Sequence, residues 1–461
     1  MRRRATLVLA AAGVATGCAR IPLPIYTLGA ADQFANAPID APTAWPDAEW
    51  WRGFGSAELD ALILAAREHN QDLRGAAERV LQAEAGARID AAPLFPWLDL
   101  DGGASRRRGS TGGSTSLSVG GTVSWDADLW GRLRANARAG EADLLASGFD
   151  RDALALSITA ATAATYFQLV AIRARRDLAA ETLVAARRIL GIVQAQAGAG
   201  GASELDIQRQ LSAVASQEAQ LADLTGQEAQ QRHALAVLLG RRPDQLAVAA
   251  RSLAPLRLPP VEAGLPTDLL ARRPDLARAE AQLVSAGFDA EAARAARYPG
   301  LRLTVSADRL APDLAGLFTM ERLLTVISAS ILAPVFQGGR LAAAEDRATA
   351  RMRELGHSYA AAILTAFREV EDALAVSRAA RESHALRRTA YEAAQRAYAI
   401  AELRWNAGDS DFITVLQAQQ AFLAATDQLS QADLTRYLAA VALYRALGGG
   451  WSRPAELAAR S

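Results

Sequence analysis

The chain contains no lysine and only one cysteine in 461 residues, and aromatic residues make up just 6% of it. All 50 basic residues are arginine, balanced by 50 acids for a net charge of zero. That balance leaves no electrostatic footprint for nucleic acid. With a single thiol, Cys18, no internal disulfide can form. His69, His233, His357 and His384 stand far from one another and from Cys18, so metal-ligand spacing is absent. A Gly-x-Ser-x-Gly elbow, a His-Glu-x-x-His helix and a phosphate loop after a strand are also missing. Without those constellations an enzyme is not expected. Long apolar runs are scarce too. Ala153 to Ile172 carries no charge, but it is rich in Ala and Thr and holds Gln168. Small residues at helical spacing predict close helix packing there rather than a membrane span.

What is present begins at the amino terminus. Arg2, Arg3 and Arg4 precede an apolar run from Ala5 to Ala15, and Thr16-Gly17-Cys18 closes the segment. This order is that of a secretory signal, predicting a signal peptide over residues 1–17. The run is too short to span a bilayer. A sole cysteine at the first mature position marks the lipoprotein variant, so Cys18 is the expected lipid-attachment site, where each buried CH₂ contributes roughly 0.8 kcal/mol. That covalent lipid aside, no cofactor or metal is expected. Ala19, in place of Asp, favours the outer membrane by analogy with the sorting rule of enteric bacteria.

The sequence is written twice. Asn70-Gln71-Asp72-Leu73 opens a helical stretch ending at Pro93-Leu94; Arg273-Pro274-Asp275-Leu276 opens another ending at Pro299-Gly300-Leu301. Trp130-Gly131-Arg132-Leu133 returns as Gly338-Gly339-Arg340-Leu341. Ala199-Gly200-Gly201-Ala202-Ser203 returns as Asn406-Ala407-Gly408-Asp409-Ser410. Near-constant offsets argue for duplication. The predicted organisation is a lipidated N-terminal segment over 18–65 that packs at the equator, a first repeat over 66–249, a Pro-rich linker over 250–266, a second repeat over 267–448 and a tail over 449–461.

Gly131 to Ala199 and Gly339 to Ala407 each run 69 residues without a proline. At ~1.5 Å per residue either would extend roughly 100 Å as a helix. Gly148 and Gly191 are expected to interrupt the first. In the return segments Ile207, Val214, Leu221 and Leu235 recur in sevens, as do Val415, Phe422, Leu429 and Leu443. That period predicts antiparallel coiled-coil hairpins. Four stretches alternate with period two instead, around Leu98–Gly102, Leu117–Trp125, Leu301–Val305 and Leu324–Leu332. Arg106 to Gly113 reads as an exposed hairpin tip with a solvated arginine triplet. Trp50-Trp51 reads as packing, Gly338-Gly339 as a turn from strand into helix, and Glu369, Glu371 and Asp372 as solvated or paired with Arg368 and Arg378. The fold class is thus mainly α with a small β part: long helical hairpins plus four transmembrane β-strands per chain.

Four strands cannot close a barrel, and lipid tolerates no open sheet edge. Outer-membrane barrels begin at about eight strands, a size filled by its own side chains. Three copies give about twelve strands and a lumen, and they gather the helical hairpins into a second, α-helical barrel. A homotrimer is therefore the smallest assembly that leaves a conduit.

The chain also resembles the TolC-like outer-membrane factors of tripartite efflux systems, in particular their lipoprotein (NodT-type) branch. The resemblance covers nearly the whole mature chain. It rests on Trp50-Trp51-Arg52-Gly53-Phe54, on Trp125-Asp126-Ala127-Asp128-Leu129-Trp130-Gly131-Arg132, on Leu265-Pro266-Thr267-Asp268 running into Arg273-Pro274-Asp275, on Pro334-Val335-Phe336-Gln337-Gly338-Gly339-Arg340, on Glu369-Val370-Glu371-Asp372 and on Leu443-Tyr444-Arg445 leading to Gly448-Gly449-Gly450-Trp451. It implies a homotrimeric duct through the outer membrane and across the periplasm. Such a duct passively carries small toxic compounds delivered by a periplasmic adaptor and an inner-membrane pump of the resistance-nodulation-division class. The alternative is a structural periplasmic coiled-coil lipoprotein without a pore, which explains the helices but not the amphipathic strands.

The same resemblance places a periplasmic gate at the two helical hairpin tips. Asp206 matches an acidic position after the first tip, and Arg404 with Trp405 a basic-aromatic pair before the second. Trp405 replaces the more usual Tyr, which removes a phenolic hydroxyl. Ile413 stands at the constricting apolar position. Gln417 and Gln420 stand where related proteins often carry Asp and Arg, so a ring of three carboxylates at Gln417 is missing. A charged link from Asp206 to Arg404 across the hairpins is expected to favour closure.

Overall fold

The computed structural model describes residues 22, 34–36, 45–110, 112–260, 268–318 and 323–454. Cys18, the signal segment and the end of the Pro-rich linker lie outside the described residues. In chain order come α1 (Ala57–His69), α2 (Gln71–Ala91), β1 (Trp97–Gly109), β2 (Gly112–Ala127), α3 (Arg132–Gly198), α4 (Glu204–Leu238), α5 (Pro274–Ala295), β3 (Gly300–Ala311), β4 (Leu323–Leu332), α6 (Arg340–Asn406) and α7 (Phe412–Ala446). The duplication survives in element length: α3 and α6 are both 67 residues, α4 and α7 both 35. It also survives in close backbone approaches. Gly240 and Gly448 both adopt positive φ (63° and 86°), and a Cβ there would collide with the carbonyl of His69 and of Arg272 respectively.

The chain divides into two compact units, each drawing on both repeats. One takes Ala77–Asp150 with Asp275–Ala362; the other takes Gly29–Ala76, Arg151–Pro274 and Ile363–Ser461. The repeats are a division of sequence and the units a division of packing. The expected boundary at 65/66 falls inside α1, whose apolar Leu59, Leu62, Ile63 and Ala66 form one buried stripe at helical spacing. Ser56 caps that helix by accepting from the Leu59 N–H at 3.1 Å. Extended backbone at Asn70 ends it. The Asn70 side chain then caps α2, accepting from Leu73 N at 3.1 Å, and donates to the Leu238 carbonyl at 2.9 Å.

In that second unit Trp50 and Trp51 belong to the core, as expected of packing residues. Trp50 stacks on Tyr444 with ring centroids 4.7 Å apart, and Phe54 meets Phe167 edge-on at 4.9 Å. Such pairs contribute about 0.5–1.5 kcal/mol beyond their burial. The uncharged run of α3 supplies Ala163, Tyr166, Phe167, Leu169 and Val170 to this core. Thr159 and Thr162 are buried as well, each hydroxyl bonded to the carbonyl four residues back at 2.8 Å. Hydropathy alone marks this helix as long and apolar enough to span a membrane, yet its apolar side faces protein. Helix α3 also corrects one expectation: it runs unbroken through Gly148 and Gly191. A glycine costs only about 1 kcal/mol relative to alanine in a helix, little beside the packing of so long an element.

The first unit carries the sheet, antiparallel in the order β1-β2-β3-β4, with β1 and β4 as its edges. Register places Leu98, Val123, Val305 and Ile327 in one row across all four strands, and Trp125, Leu303 and Ala329 in another on the same face. These apolar side chains are exposed in the single chain; Leu100 is 82% and Ile327 79% accessible. The opposite face is polar on β1 to β3, with Asp, Ser and Thr side chains, although Leu310, Leu324, Val326 and Leu332 also fall on it. There Asp126 and Arg302 are partners in register and form an ion pair at 2.7 Å. A second correction concerns the arginine triplet. Arg106, Arg107 and Arg108 lie in β1, paired with Thr115, Ser114 and Gly113, so most of the expected eight-residue tip is strand, with pairing carried as far as Gly109 and Gly112.

Candidate functional site

Two tips define the site sought from sequence. At the α3–α4 tip, Ser203 and Asp206 form a capping box. The Asp206 N–H donates to Ser203 Oγ at 3.2 Å, while its carboxylate accepts from Ser203 Oγ at 2.6 Å and Ser203 N at 3.0 Å. Those bonds, the hydroxyl first, hold the Asp206 carboxyl below the usual carboxylate range. At the α6–α7 tip, Asp411 caps α7 by accepting from Thr414 Oγ1 at 2.6 Å and Thr414 N at 2.8 Å, which lowers its pKa in the same way. Both caps are present above the unfolded carboxylate pKa and are lost as pH falls through the depressed folded value.

The expected link between Asp206 and Arg404 is not made within one chain. Arg404 pairs instead with Asp409 of its own tip at 3.5 Å, where the Asp409 N–H also donates to the Arg404 carbonyl at 2.8 Å. Local partners three to five residues away are reached with little loss of chain freedom, so each tip closes on itself. Trp405 is half-buried, and Gln417 and Gln420 are exposed. Ile413, one helical turn before Gln417 on α7, is 38% accessible.

Sequence spacing gave no sign of a charged cluster farther up the hairpins. Glu228 on α4 receives Arg173 Nε at 2.8 Å and also pairs with Arg176, both from α3. Arg173 reaches on to the carbonyls of Val248 and Ala250. Arg175 grips Asp427 of α7 at 2.6 Å. Nearby, Glu58 accepts from the N–H groups of Ala249 and Ala250 and from the Tyr166 hydroxyl. Burial, chiefly, pushes the Tyr166 phenol up to about 12. The acids on α6 are structural. Glu369 pairs with buried Arg273 at 2.7 Å, and Asp372 lies 3.9 Å from Arg368. Glu371 accepts from the backbone of Ala35 at 2.7 Å and Asn36 at 3.0 Å, with Arg378 donating to the Asn36 carbonyl at 2.7 Å. The N-terminal segment is thus tied to α6, a contact the triplet Glu-x-Glu-Asp did not announce.

Known proteins are similar to this chain in sequence and in fold. Residues 62–241 and 265–449 match the family model described as outer membrane efflux protein. The chain is 38% identical to the pyoverdine export outer membrane protein OpmQ of Pseudomonas aeruginosa, over 96% of each. It is 34% identical to the solvent efflux pump outer membrane protein SrpC of Pseudomonas putida, over 89% of this chain and 88% of that one. Among solved structures, the open state of the Neisseria gonorrhoeae MtrE outer membrane channel is similar with a TM-score of 0.86 and 28% identity, over 94% of this chain and 99% of that one. The chain belongs to the outer membrane efflux proteins, the TolC-like outer-membrane factors.

Proposed function

We propose that this outer-membrane efflux channel works as a homotrimer. Three four-stranded sheets join edge to edge into one twelve-stranded barrel, and three pairs of hairpins line the conduit below it. The observation that carries the reading is the sheet itself: β1 and β4 each have one unpaired edge, and the apolar face between them is exposed. In lipid an open edge leaves a row of backbone groups without partners, at several kcal/mol each. Pairing β1 of one copy with β4 of the next removes both edges at once. Native mass spectrometry in mild detergent should return a trimer; a stable monomer or dimer would overturn the reading.

The duct is passive. It receives its cargo from a periplasmic adaptor and an inner-membrane pump of the resistance-nodulation-division class. Its similarity to proteins named for export of pyoverdine, organic solvents and cations supports a wall that does not choose among small compounds. Cys18 carries the covalent lipid that holds the N-terminal segment at the membrane, while Glu371 and Arg378 tie residues 35–36 of that segment to α6. Cys18→Ser should still be exported but should take up no labelled palmitate; label persisting on the variant would defeat the assignment. The gate lies at the tips, with Ile413 as its apolar constriction and with Asp206, Arg404, Trp405 and Gln417 around it.

A further inference from the structure

Charge on the sheet is sorted by face and by height. All four strand aspartates (Asp99, Asp101, Asp126 and Asp308) fall on the polar face by register. The apolar face carries no acid on the described strands. Among the described strand residues its only charges are Arg106, Arg108 and Arg309, and all three sit toward the β1–β2 turn, away from the helices. Arg106 and Arg108 are exposed and form no ion pair with a described residue; Arg309 donates to the Leu317 carbonyl at 3.2 Å.

Height fits a membrane boundary. On β2 the apolar face runs from Ala127 to Leu117, and at ~3.3 Å per residue and a tilt of ~40° that run stands about 25 Å tall. Arg106, opposite Thr115, and Arg108, opposite Gly113, come just beyond it. They therefore sit where the acyl chains end and headgroups begin, while Arg309, opposite Val119, is near enough to reach that level along its own stem. Guanidinium forks match phosphate oxygens bidentately.

We infer that this arginine row is a binding surface for the phosphorylated glycolipid of the outer leaflet. The lipid's acyl chains lie on the apolar rows, and its phosphates engage Arg106 and Arg108. The inference rests on the trimeric barrel proposed above. Pleat geometry supplies an internal control: Arg107, between the two, projects to the opposite face and takes no part.

The test uses full-length trimers in detergent, incubated with bisphosphorylated lipid A or its phosphate-free form, with bound lipid counted by native mass spectrometry. A basic residue at a charged membrane surface is worth roughly fivefold in affinity, so Arg106→Gln with Arg108→Gln should weaken bisphosphorylated lipid A by about 25-fold. Arg107→Gln should match the parent, phosphate-free lipid should bind all three proteins alike, and added salt should narrow the difference. Equal binding by the parent and the double variant would overturn the inference, as would an Arg107→Gln loss of similar size. A failed trimer would appear in the same spectrum as a lower mass, which separates failure of the barrel reading from failure of this one.

Discussion

Ile413→Ser should leave the channel conducting where the parent is nearly shut. In one chain the Ile413 side chain is 38% accessible at the start of α7, and the trimer and gate proposed above would set three of them around one axis. Full burial of an isoleucine contributes roughly 1.5–3 kcal/mol, so covering the remaining exposed part of three side chains would bias closure by about 2–3 kcal/mol. Serine removes that bias and admits water. Both helix caps beside it are untouched, so the tips stay folded. Single-channel conductance in a planar bilayer should rise severalfold, and cells should become sensitive to large antibiotics. Asp206→Ala with Arg404→Ala should do less, because each residue is bonded within its own tip. If that double variant opens the channel at low salt while Ile413→Ser does not, a polar link between copies holds the gate instead.

Glu228→Ala should be strongly destabilising for a single change to a charged residue. Its carboxylate neutralises Arg173, and both side chains are only 12% accessible; Arg176 leans on the same group. Removing one partner of a buried pair strands the other charge in a poorly solvated place, at about 3–5 kcal/mol. Carbonyls of Val248 and Ala250 still receive Arg173, which holds the loss to the lower end of that range. The guanidinium midpoint for loss of helical circular dichroism should fall accordingly, with Glu228→Gln losing less. Asp244→Ala, which breaks the exposed pair with Arg242, should leave the midpoint where it was. Equal midpoints for Glu228→Ala and Asp244→Ala would mean that the cluster is not buried in the assembled protein.

The parts of the molecule legible in sequence are those governed by local period. Alternation placed Leu98, Val123, Val305 and Ile327 on strands, and heptads placed the two return helices, because pleat and helix turn repeat within a few residues. The 67-residue helices were visible as proline-free runs. Register was not, yet it is what aligns those four side chains in a single row. The Arg173–Glu228 and Arg175–Asp427 contacts join residues 55 and 252 apart, distances over which spacing carries no information. The tip misled for the opposite reason. Ser203 and Asp206 stand three apart, the signature of a capping box, and that local reading describes the Asp206 carboxylate better than the family pattern does. Arginines in a glycine-rich stretch read as loop because strand pairing, which holds Arg106 to Arg108 opposite Thr115 to Gly113, leaves no mark in composition.

Sorting of charge by face gives the sheet a parity. Inserting or deleting one residue in β1 would exchange odd and even positions beyond the change. For a change between Asp101 and Arg106, either Arg106 and Arg108 would turn toward the conduit or Asp99 and Asp101 would face hydrocarbon, according to which end keeps its register. A change of two residues would keep every side chain on its own side and merely lengthen or shorten the strand. Length variation among barrels of this design should therefore come in even steps within strands, with odd steps confined to the turns or absorbed by a bulge.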